Sequence, residues 1–115
     1  MRTARYHFAG KDYLVCMSAY VTTHMEAEHI SLEDIDRSEA TTTTVLKVLS
    51  FMIDAGNEYA KLFGLENPGT VTFEQLCIGT DIADFKKIAE LIGEVVRGDR
   101  NVEAEAPKKA DAPAM

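Results

Sequence analysis

The sequence predicts a mainly α domain with a short N-terminal β-hairpin, an α+β fold, followed by a disordered tail. Three observations carry this. Apolar residues recur at helical spacing from 45 to 63 and again from 82 to 96, and aromatic and β-branched residues flank a Gly-containing turn at Gly10. From Arg97 onward large apolar groups almost vanish. The domain is therefore drawn over residues 1–96 and the flexible Ala/Pro/charged tail over 97–115. At 115 residues, 46% of them hydrophobic, the chain has material for one modest core.

In chain order, Arg5 to Met17 reads as the hairpin, with Tyr6 and Phe8 on one face. A lone two-stranded hairpin is marginal in water, so it must pack on helices or on another chain. Ser18 to His29, with Tyr20, Val21 and Met25, fits a short and weakly amphipathic helix. Ser31 stands before Glu33 and Asp34, as expected of a capped connector turn.

The strongest periodicity runs from Ser38 to Phe63 and predicts the central helix. Its start is blurred by Thr41 to Thr44, and its end is marked by Gly64 with Pro68 beyond. Gly56 lies inside it, a position that normally weakens a helix unless close packing requires it. Thr72 and Gln75 read as a capping box opening a short helix over Phe73, Leu76 and Ile78. Asp81 is placed to start the last helix, which carries Ile82, Phe85, Ile88, Leu91, Ile92, Val95 and Val96.

The net charge of −7 opposes phosphate-dominated nucleic-acid binding, and no apolar stretch has the length of a membrane span. The N-terminus shows no leader pattern, which sets the expectation of a cytoplasmic protein. Charges balance from Arg97 onward, so the negative excess belongs to residues 1–96. Much of it gathers in Glu26, Glu28, Glu33, Asp34, Asp36 and Glu39, against Arg37 alone. Cys16 and Cys77 lie far apart, have no CxxC partner and read as small buried hydrophobes.

Little in the chain nominates catalysis. His24 and Glu28 share a helical face but lack a third ligand at a recognisable spacing, so no metal and no cofactor is expected. Ser31, Ser38 and the threonines have neither a nucleophile elbow nor an assignable base, and a phosphate-cradling loop is missing. The expectation is a non-enzyme. Its wide apolar stripes exceed what a small core needs, which points to self-association as a homo-oligomer and to protein partners.

The order of several short motifs adds to this. Gly10-Lys11-Asp12-Tyr13, Ile30-Ser31-Leu32-Glu33-Asp34 and Ala55-Gly56-Asn57-Glu58-Tyr59-Ala60 are followed by Pro68, Thr72-Phe73-Glu74, Asp81-Ile82-Ala83-Asp84-Phe85 and the tail from Arg100 to Lys109. In this sequence and spacing the chain resembles the small tail assembly chaperones of long-tailed bacteriophages and prophages. The resemblance implies a protein that binds the tape measure protein in the host cytoplasm and keeps it soluble. It also implies help in recruiting tail tube protein, and absence from the mature virion. It further implies a longer form made by translational frameshift near the end of the frame.

The resemblance supplies no functional residues, so the partner surface is assigned from charge and apolar content alone: the stripe Phe85, Ile88, Ile92 and Val96, and the acids Glu33, Asp34 and Asp36. The competing reading is a small helical adaptor or antitoxin-like regulator that binds one protein partner stoichiometrically.

Overall fold

The computed structural model describes residues 3–36 and 41–104. The chain is mostly helical, with one antiparallel hairpin at its N-terminus, as the sequence predicts. Strands β1 (Thr3–Phe8) and β2 (Lys11–Cys16) pair with Tyr6 opposite Tyr13 and Phe8 opposite Lys11. Ala9 and Gly10 both sit at positive φ, the backbone that a tight two-residue hairpin turn requires. Tyr6 and Phe8 share a face, their ring centroids 6.2 Å apart.

Helix α1 (Ala19–Ala27) buries Val21 and Met25, one turn apart. Where a connector turn is expected, Leu32–Asp36 forms the short helix α2, and Ser31 Oγ accepts the Glu33 N–H. The central helix α3 runs Thr42–Phe63 and does not begin at Ser38. Thr41 is extended, and its Oγ1 accepts the Thr44 N–H at 3.2 Å, so the threonine run supplies the cap at Thr41 and the first turn at Thr42 to Thr44. Gly64 closes α3 in the left-handed conformation.

Helix α4 (Phe73–Gly79) opens on the expected capping box. Thr72 Oγ1 accepts the Gln75 N–H, and Gln75 Oε1 accepts the Thr72 N–H. Asp81 Oδ1 then accepts the Ala83 N–H, starting a 3-10 turn (Ile82–Asp84) that leads into α5 (Phe85–Ala104). The helix continues past Gly98 and beyond residue 96, where the sequence draws the domain boundary. A scarcity of large apolar groups removes tertiary anchoring, but Arg, Glu and Ala are still good helix formers. The rest of the predicted tail, 105–115, lies outside the described residues.

The core forms where β2 and α3 meet. Four successive residues of β2, from Tyr13 to Cys16, are buried, as are Val45, Val48, Leu49, Met52 and Ile53 of α3. The hairpin thus packs on the chain's own central helix. Gly56 permits this: a Cβ there would stand 1.8 Å from Leu14 O. Helix α1 lies along α3, and α5 returns against α2 and α3. Lys47 ties three helices together, with Nζ 2.9 Å from Oε1 of Glu28, the C-cap of α1, and 5.7 Å from the Phe73 ring centroid on α4.

Candidate functional site

Short helices leave apolar residues without a partner because one or two turns cannot turn every side chain inward. Helix α4 buries Leu76 and half-buries Phe73, but Ile78 is 80% exposed. The 3-10 turn started by Asp81 carries Ile82 outward to 91% exposure. At Ile82 a groove of about 240 Å³ opens between the start of α3, α4 and the start of α5. Leu46, Cys77, Ile82 and Phe85 line it, with Thr42 and Asp81 among its polar residues. Apolar walls, a concave floor and a projecting isoleucine are the features of a surface that takes an apolar protein segment.

A second apolar surface lies at the far end of α3, where Leu62, Phe63 and Leu65 are exposed and Tyr59 packs against Phe63 at 4.6 Å between ring centroids.

The seam between α1 and α3 is of another kind. Tyr20, His24 and Phe51 form a ladder of rings, with centroids 4.3 Å and then 5.3 Å apart. His24 Nδ1 lies 2.8 Å from Tyr20 O, which fixes the ring over the helix. Asp54 sits beside this ladder, half-buried. Burial pushes its carboxyl above the usual aspartate range, the His24 ring opposes that shift, and Glu58 adds to it. The Tyr20 hydroxyl is likewise pushed up, by desolvation first and then by Asp54 and Glu58.

This placement fixes a stability effect. A carboxyl with a raised folded-state pKa binds more protons folded than unfolded, so stability falls as pH rises from the ordinary value near 3.8 to the raised one. Above that window the penalty is fully present; below it the penalty is gone. Asp54→Asn is expected to raise Tm at pH 7 by no more than roughly 2–4 °C, given solvent screening, and to lose that gain at pH 3. Thermal melts of both proteins at the two pH values check this.

The site residues expected from sequence separate into three groups. Ile88, Ile92 and Val96 are core side chains packed within the domain, so the expected docking stripe along the last helix is largely occupied by the chain's own fold. Phe85 is half-buried and does line the groove. Glu33 and Asp34 are exposed on α2, while Asp36 ends α2 and its side chain lies outside the described residues. The His24 and Glu28 pair is otherwise engaged, Glu28 being held below the usual carboxylate range by its hydrogen bond and charge contact with Lys47.

Cys16 is buried as expected, but Cys77 is exposed, because α4 turns Phe73 and Leu76 toward the core and Cys77 away from it. Sequence reasoning missed Ile78 and Ile82 as surface residues: seven helical residues and a three-residue turn give too few repeats for a periodic face to be read. The Asp81 cap was the available signal, since a cap at 81 restarts the chain and breaks the phase between the two isoleucines.

The fold and surface together describe a small α+β domain with an open apolar groove. Comparison of the chain with protein-family models, curated proteins and solved structures finds no match.

Proposed function

We propose that this chain is a tail assembly chaperone of the long-tailed phage type, which binds the tape measure protein, keeps it soluble and helps recruit tail tube protein. The observation that carries the reading is the apolar groove that Ile82 lines, together with the exposure of Ile82 and of Ile78 four residues before it, two large aliphatic side chains left almost wholly in solvent. An exposed aliphatic pair costs solubility and adds nothing to this chain's own core, which suits a surface meant to cover apolar segments of a client. The ordered resemblance of the whole chain supplies the identity of that client. The net charge of −7 keeps such a surface soluble while it waits for one. In this reading the protein acts in the host cytoplasm as a homo-oligomer, many copies serve one client, and none is retained in the virion.

Co-expression with the protein encoded immediately downstream tests it. A long partner that becomes soluble only as a multi-copy complex, sized by light scattering, supports the chaperone. A fixed one-to-one complex with a short partner replaces it with the adaptor.

Ile78→Ser with Ile82→Ser is expected to reduce the soluble yield of the client at least about fivefold while leaving this chain folded, since substitutions at exposed sites usually change stability by about 0.5 kcal/mol or less. An unchanged client yield would mean that the groove is not the binding surface.

A further inference from the structure

We propose that the α1/α3 seam of Tyr20, Phe51, Asp54 and Glu58 docks an arginine side chain of a basic protein partner. This surface is separate from the apolar groove, and the inference does not depend on which client that groove takes.

The ring ladder presents flat aromatic surface: Tyr20 stacks on His24 with 27° between planes, and His24 leans on Phe51 at 45°. Tyr20 remains 38% exposed at the outer end. Carboxylates stand beside the rings. Asp54 is half-buried, and among the described residues it receives no hydrogen bond and no Lys or Arg contact. Glu58, one turn further along α3, is exposed and paired with Lys61 at 3.3 Å, a solvated pair that a better partner displaces.

The chemistry that satisfies both features at once is a planar cation. A guanidinium stacks on aromatic faces and donates two parallel hydrogen bonds to a carboxylate; an ammonium is a strongly hydrated point charge and does the first poorly. Burial raises the Asp54 carboxyl and the His24 ring opposes that shift without cancelling it, so a further cation at Asp54 would be favourable. The charge of −7 favours a basic partner over a second copy of the chain. Arg5 is not available to fill the seam, being bound to Glu66 O and Asn67 Oδ1.

The probe is an alanine-rich helical peptide with arginine at every fourth position, compared with its lysine counterpart by fluorescence anisotropy on the full chain. The arginine peptide is expected to bind about tenfold more tightly than the lysine peptide, and Asp54→Asn to abolish that preference. Tyr20→Ala is expected to lower affinity for the arginine peptide severalfold, with circular dichroism confirming a folded chain. Glu90→Gln, which removes the same charge from the exposed face of α5, should leave binding within twofold.

Three results would overturn the proposal: equal binding of the two peptides, equal losses for Asp54→Asn and Glu90→Gln, or a change in self-association with Asp54→Asn, which would give the seam to a second copy. The co-expression experiment reads the groove and not this seam, so either proposal can fail alone.

Discussion

Gly56→Ala is expected to destabilise the protein by about 3 kcal/mol or more, lowering Tm by roughly 12–20 °C or preventing soluble expression. At an ordinary helix interior the same change stabilises by about 0.5–1 kcal/mol, because alanine loses less backbone freedom on folding. Here the sign reverses. The added methyl would lie 1.8 Å from Leu14 O and 2.4 Å from Leu14 C, and both are backbone atoms of a buried strand that cannot rotate aside. Relief requires β2 to lift from α3, which opens the interface where Val15, Cys16, Leu49, Met52 and Ile53 are buried. Chemical denaturation of the two proteins decides it. A Gly56→Ala variant as stable as the parent would mean that β2 and α3 do not approach so closely.

Gly56 also shows what could be read in advance. A glycine in the middle of the most strongly periodic helix conflicts with local propensity, and such a conflict signals a tertiary demand. The sequence identifies the demand but not the strand that imposes it. The local devices were legible for the same reason: the Thr72–Gln75 box, the Asp81 cap and the Gly64 terminus each use a short-range hydrogen bond or backbone preference.

The candidate site was less legible, because exposure is a property of the assembled fold. Ile88 and Ile78 are the same residue type, yet one is core and the other is bare. The difference is that α5 is long enough to lay a continuous stripe on α2 and α3, whereas α4 ends soon after turning Phe73 and Leu76 inward. The α1/α3 seam was hidden for another reason. Tyr20 and His24 come from one element and Phe51, Asp54 and Glu58 from another, so no spacing within the chain brings them together.

The loop after α3 supplies the second large effect, through Asn67. Its Oδ1 accepts the Leu14 N–H at 2.8 Å and an Arg5 Nη1 hydrogen at 3.3 Å, and its Nδ2 donates to Asn57 Oδ1 at 3.0 Å and to Gly69 O at 3.1 Å. One side chain thus joins both strands, α3 and the loop, and caps a backbone amide of a sheet that, among the described residues, has no third strand to do so. Asn67→Ala leaves the N–H of buried Leu14 without that acceptor and is expected to cost about 2–3 kcal/mol, or roughly 8–20 °C in Tm.

Arg5→Ala removes only exposed contacts and should cost about 1 kcal/mol or less. Asn67→Asp keeps the acceptor for Leu14 and Arg5 but turns an oxygen toward Asn57 Oδ1 and Gly69 O, so its loss should fall between the two. Equal losses for Asn67→Ala and Arg5→Ala would show that the amide bond to Leu14 contributes little. Leu14 is also the residue whose carbonyl meets Gly56, so the two large effects act on one peptide segment from opposite ends. The double variant is therefore expected to lose less than the sum of the single losses: once Gly56→Ala has lifted β2 from α3, Asn67 has already lost its partner.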